Sequence, residues 1–153
     1  MRYSAAERHV PESVEQVRRL VARSGKVKTI GTRHSFNRIA DTTGVHISLE
    51  KLDKVLDLDA ERRTVTVQGG IRYGELSRWL DERGWAMENF ASLPHISVAG
   101  ACATATHGSG DRSGNLATAV AAMEIVTGEG DLVRISRDDP DYDGAVVHLG
   151  GLG

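Results

Sequence analysis

The sequence predicts an α+β fold, and three observations carry that reading. Helical and extended patterns follow one another without the regular strand–helix rhythm of a doubly wound parallel sheet. Thr64-Val-Thr-Val-Gln68 shows the period of two of a half-buried strand and stops at Gly69-Gly70. Two further extended runs, Ala121 to Thr127 and Asp131 to Ile135, are separated only by Gly128-Glu-Gly130, which reads as a hairpin.

Taken in order, residues 11–25 read as a first helix. Pro11 suits its first turn, Val14, Val17, Leu20 and Val21 fall on one face, and Gly25 ends it. Val27 to Ile30 is a short strand that feeds the loop Gly31-Thr-Arg-His-Ser-Phe36. Val45 to Leu49 and Val55 to Leu58 are two more strands ahead of the one at Thr64. A second amphipathic helix covers Tyr73 to Arg83, with Leu76, Trp79 and Leu80 inward and Gly84 as its stop. Beyond the hairpin, Asp139-Pro140 turns into a last helix near Asp141 to Leu149.

The bulk composition excludes several classes. The 153 residues are one domain's worth of chain, 40% apolar with a formal charge of −2. No basic stripe points to nucleic acid or a membrane surface, and no apolar run is long enough for a membrane span or a signal peptide. One cysteine, Cys102, allows no internal disulfide, so the cytoplasm is the expected compartment. The last residues, His148-Leu-Gly-Gly-Leu-Gly153, follow a helix-like pattern where a capping glycine should lead into another element. The expectation is a fragment, or part of a larger enzyme.

From Asn89 to Gly110, 22 residues pass without a charged side chain, whereas a 26% charged composition would place about six there. Thirteen of the twenty residues from Ala91 onward are Gly, Ala, Ser or Thr. Small residues admit close backbone approach, and successive N–H groups form anion-binding concavities. Two readings fit: a strap against a large, phosphate-bearing ligand, or a buried Gly/Ala-rich packing segment.

Familiar phosphate motifs are absent. There is no G-x-x-x-x-G-K-[ST], and the nearest approach to G-x-G-x-x-G, Gly108-Ser-Gly110-Asp-Arg-Ser113-Gly114, is out of register and follows no strand. No metal site is expected. His9, His34, His46, His95, His107 and His148 form no H-x-x-x-H pair, and one cysteine cannot complete a Cys/His set. His34 differs from the others in sitting in a loop straight after a strand, beside Arg33. A neighbouring cation disfavours imidazolium, and the neutral ring is the nucleophilic form. A histidine hydrogen-bonding in a turn is the alternative. Cys102 reads as a small buried hydrophobe, and Trp79 and Trp85 as core.

Together the two loops carry a resemblance. Thr29-Ile-Gly-Thr-Arg-His-Ser-Phe-Asn37, followed by Glu88-Asn-Phe-Ala-Ser-Leu-Pro-His-Ile-Ser-Val-Ala-Gly-Ala-Cys-Ala-Thr-Ala-Thr-His-Gly-Ser109, resembles the FAD-binding domain of alditol (xylitol) oxidases. More broadly it is similar to the sugar-lactone oxidases and the PCMH-type, vanillyl-alcohol oxidase superfamily. Residues 1–153 would then be one PCMH-type FAD-binding domain of two small α+β subdomains with FAD between them.

The resemblance implies that Thr29, Ile30, Gly31, Thr32, Arg33, His34 and Ser35 wrap the FAD pyrophosphate. It implies that His34 carries the flavin covalently through the 8α carbon. Ser97, Gly100, Thr104, Ala105, Thr106 and His107 match a second cofactor strap, and Ser92 matches a serine at the flavin and substrate. Relatives with a second, cysteinyl tether carry it before the Val-Ala-Gly stretch, and Cys102 lies after it. Ala105 stands where many relatives have glycine. Relatives also continue into a substrate domain, here expected downstream or in trans. The implied activity is oxidation of a polyol by dioxygen, giving hydrogen peroxide. The alternatives are a sugar-lactone oxidase or dehydrogenase, and a non-catalytic FAD-binding fragment.

Overall fold

The computed structural model describes residues 2–153. Among these the elements run β1 (Glu7–His9), α1 (Val14–Ala22), β2 (Val27–Ile30), β3 (Val45–Ser48), β4 (Val55–Asp59), β5 (Thr64–Val67), α2 (Tyr73–Asp81) and α3 (Val98–Ala103). A 3-10 turn at Leu116–Ala119 follows, then β6 (Ala122–Val126), β7 (Leu132–Ser136) and α4 (Tyr142–Val146). The strands form a parallel sheet of order β1-β3-β2 and two antiparallel pairs, β4-β5 and β6-β7. Each sheet has helices beside it in sequence, and the class is α+β.

In the parallel sheet, Val45 of β3 stands opposite both Glu7 and Val27, so β1, α1 and β2 make a crossover with β3 inserted between its strands. The central strand is the buried one: His46, Ile47 and Ser48 are enclosed. His46 Nε2 donates to the Ala40 carbonyl at 2.7 Å, which satisfies the one ring nitrogen most in need of a partner there.

Ser13, not Pro11, starts α1. Its hydroxyl accepts the Gln16 N–H at 3.3 Å, and Pro11 is buried ahead of the cap. Val17 and Leu20 are buried as expected, while Val14, in the first turn, is 39% exposed. The helix leaves at Arg23, short of Gly25. Arg18 Nε donates to the Gly130 carbonyl at 2.8 Å. A Cβ on Gly130 would stand 2.8 Å from the Arg18 carbonyl and 3.0 Å from the Ala22 side chain. A glycine with φ of 86° is what lets the β6–β7 turn seat against α1.

Helix α2 begins where the Glu75 carboxylate accepts the Arg72 N–H at 3.2 Å. It stops at Gly84, whose φ of 74° admits the left-handed turn the sequence pattern anticipated. Leu76 and Leu80 pack with Ile71 against Val55, Leu58, Val65 and Val67 of the β4–β5 pair. Trp79 and Trp85 join this cluster half-buried, and Trp79 also stacks under the Arg83 guanidinium at 3.8 Å.

Three elements depart from the sequence reading. β1 and α3 were not anticipated, and α4 ends at Val146 instead of reaching Leu149. Leu149 sits at φ 53° and donates its N–H to the Ala103 carbonyl at 3.0 Å, so the chain turns back onto α3. Among the described residues no helix is long and apolar enough to cross a membrane.

Candidate cofactor-binding site

The first loop leaves the parallel sheet at Ile30, which is 3% exposed. Thr29 is still in β2, opposite Ile47, and is half-buried. From Gly31 the chain is irregular, and Arg33 takes a left-handed φ of 61°. That conformation costs a non-glycine residue roughly 1–2 kcal/mol. The N–H groups of Thr32 to Phe36 donate no hydrogen bond among the described residues, so this stretch has donors to spare for an anion. His34 is exposed, and its ring meets Phe36 at 5.0 Å and His95 at 5.2 Å between centroids, both edge-on.

The second loop is held by the start of α2. Tyr73 N–H donates to the Ile96 carbonyl at 3.0 Å and Gly74 N–H to the Pro94 carbonyl at 2.8 Å. Val98 and Ala99, opening α3, donate to the carbonyls of Ile71 and Gly69 at 2.9 and 3.0 Å. The packing reading of the uncharged stretch holds for part of it. Ala91, Ile96, Ala101 and Cys102 are buried in the core, while Ser92 to His95, Thr104 and His107 to Gly110 are exposed. Small side chains let the backbone approach α2 closely enough for carbonyl and N–H to pair directly.

The two loops meet at a seam of glycine and serine. A Cβ on Gly31 would lie 2.4 Å from the Ser97 hydroxyl oxygen, and one on Gly100 would lie 2.9 Å from it. Ser97 is only 5% exposed, yet its hydroxyl makes no hydrogen bond among the described residues. Among the described residues the sealed-off oxygen without a partner is Thr127 Oγ1, so the Ser97 hydroxyl, though part of a buried residue, still reaches solvent. A free hydroxyl beside free N–H groups suits a ligand that brings acceptor oxygens.

The remaining expected residues are placed as follows. Thr104 donates its hydroxyl to the Gly100 carbonyl at 2.9 Å, closing the end of α3. Thr106 N–H donates to the Ala101 carbonyl at 3.0 Å and its own carbonyl accepts Leu116 N–H at 2.8 Å. His107 Nδ1 donates to the Gly108 carbonyl at 3.0 Å. Ser92 is exposed on the strap. Gly31, His34, Ser97 and Gly100 are brought together; no hydrogen bond among the described residues ties Ser92 or His107 to the Gly31 loop. His95, not singled out from the sequence, is the residue the fold adds. It is far from His34 in the chain and belongs to no pattern that would have flagged it.

Ala105 has φ of 50°, which explains why glycine serves well at this position. Ala105→Gly is expected to stabilise the protein by about 0.5–1 kcal/mol, the relief of left-handed strain less the extra chain entropy. Thermal unfolding would register this as a midpoint rise of about 2 °C. Cys102 is a core thiol: burial pushes its pKa up, and its sulfur lies 3.5 Å from the Tyr73 hydroxyl. Such a thiol is unreactive.

The profile of the FAD binding domain family matches residues 8–136. An alditol oxidase from Streptomyces sp. is 47% identical, over 99% of this chain and 37% of that protein. An L-gulono-1,4-lactone dehydrogenase from Mycobacterium tuberculosis is 38% identical, over 93% of this chain and 33% of its own length. An L-gulonolactone oxidase from Bos taurus is 36% identical, over 94% and 34%. The chain spans about a third of the length of these relatives. With that profile covering most of its length, the chain belongs to the FAD binding domain family.

Proposed function

We propose that this chain is the cofactor-holding part of a flavoprotein oxidase acting on a polyol or related sugar alcohol. The observation that carries the reading is the seam at Gly31, Ser97 and Gly100 with His34 at its edge. The likeness to an alditol oxidase supports the substrate class. FAD, when bound, supplies two-electron acceptance from the alcohol carbon and reoxidation by dioxygen to hydrogen peroxide.

The protein's share is binding and orientation. The N–H groups of Thr32 to Ser35 and the Ser97 hydroxyl donate to pyrophosphate oxygens, and Gly31 and Gly100 keep the approach clear. Thr104 and Thr106 shape the turn that presents Ala105 and His107 to the cofactor. His34 is the covalent tether, and Ser92, exposed on the strap, meets the substrate side. A substrate domain, continuous with this chain or supplied in trans, contributes the charged groups that hold the polyol.

A second reading, oxidation of a sugar lactone, is supported by the likeness to the gulonolactone enzymes. Anaerobic mixing of the full-length protein with xylitol separates the two. Bleaching of the flavin absorption by xylitol is the expected result. A spectrum that stays oxidised with xylitol but bleaches with gulonolactone would transfer the assignment to the lactone enzymes.

A further inference from the structure

We propose that His95 is a positioning residue for the covalent tether: its ring, edge-on against His34 across the two loops, holds the His34 imidazole in the orientation from which it bonds to FAD. The inference rests on the proposed role of His34.

His34 sits on an exposed irregular loop, and neither ring nitrogen makes a hydrogen bond among the described residues. Ring contacts are what orient it. Phe36, at 5.0 Å and 71°, belongs to the same loop and is 90% exposed, so it travels with His34 and fixes little. His95, at 5.2 Å and 73°, belongs to the strap. Its chain neighbours are anchored: the Pro94 carbonyl accepts Gly74 N–H at 2.8 Å, and Ile96, 6% exposed, accepts Tyr73 N–H at 3.0 Å. His95 therefore gives the irregular loop a reference anchored to α2. Edge-to-face aromatic pairs attract specifically. No hydrogen bond joins the two rings among the described residues, so the contact orients the imidazole and does not relay its proton.

Tethering forms one C–N bond, between a His34 ring nitrogen and the 8α carbon. An N–H and a C–H bond break, and the two protons and two electrons end on dioxygen as hydrogen peroxide. A ring nitrogen must face that carbon for the bond to form, so a ring free to rotate reacts more slowly.

The test follows the appearance of covalent flavin over time. Full-length protein is produced under riboflavin starvation, mixed with FAD in air, and denatured for in-gel fluorescence at intervals. His95→Ala is expected to slow tethering by about three- to tenfold, with total bound flavin unchanged. His95→Phe, which keeps an edge-on ring, should restore the rate to within about twofold of the parent. His95→Gln, polar but without a ring, should be as slow as His95→Ala; if the alanine variant does not fold, the Phe–Gln comparison carries the test. A parental rate in His95→Ala, or a Phe variant as slow as Gln, overturns the proposal. His34→Ala, run alongside, separates the two readings: fluorescence persisting there defeats the tether assignment itself.

Discussion

Protein carrying His34→Ala is expected to show no flavin fluorescence after denaturing electrophoresis, and the parent protein is expected to be bright. The loss should be complete, since a covalent bond either forms or does not. Nothing in the packing obscures the result. His34 is exposed, lies outside every helix and strand, and meets Phe36 and His95 through ring edges. Substitutions at such surface positions usually alter stability by less than about 0.5 kcal/mol. The variant should therefore fold and hold FAD non-covalently through the Gly31–Ser97 seam, seen as flavin released on denaturation. Fluorescence that persists in the denatured band would mean a different residue carries the bond.

Gly70→Ala is expected to cost about 3 kcal/mol or more, lowering the unfolding midpoint by about 6–12 °C. A Cβ at this position would lie 1.9 Å from the Leu49 carbonyl oxygen, 2.7 Å from its carbon and 2.8 Å from the Leu52 carbonyl oxygen. All three are backbone atoms and cannot rotate away as a side chain would. Their positions are in turn fixed, because Gly70 N–H donates to Leu52 at 2.9 Å and Leu52 N–H to Leu49 at 2.8 Å. The damage is expected to extend to the proposed cofactor seam, since the flanking carbonyls of Gly69 and Ile71 receive the first N–H groups of α3. FAD binding should weaken along with stability. Gly25→Ala is the control: nothing lies within 4 Å of its Cβ, and a change below about 0.5 kcal/mol is expected. Equal effects at the two glycines, measured by thermal unfolding, would contradict the steric account.

Elements with a strong local signature were legible from the residues. Strand β5 alternates, α2 pairs an apolar stripe with a glycine stop, and the β6–β7 hairpin is announced by its two glycines. Strand β1 was not, because Glu7-Arg8-His9 is polar throughout and extends only by docking on β3. Helix α3 was hidden for the opposite reason: Val-Ala-Gly-Ala-Cys-Ala has no contrast between large apolar and polar residues from which a period of 3.6 could be read. The site divides in the same way. The two loops could be named from their residues, and their junction follows from Gly31 and Gly100 flanking Ser97. His95 could not be found, since its contact with His34 exists only after the strap is pinned to α2.

Val98, the first residue of α3, packs against three apolar clusters, built around Tyr73 and Ile96, around Cys102 and Tyr142, and around Leu76 and Leu80. A segment so placed cannot melt by itself, and belongs to the cooperative unit whose opening is global unfolding. By linkage, occupancy therefore raises the free energy of the whole transition by RT ln(1 + [L]/Kd), instead of only quieting a surface loop. At the proposed site, cofactor binding and global stability are therefore expected to rise and fall together.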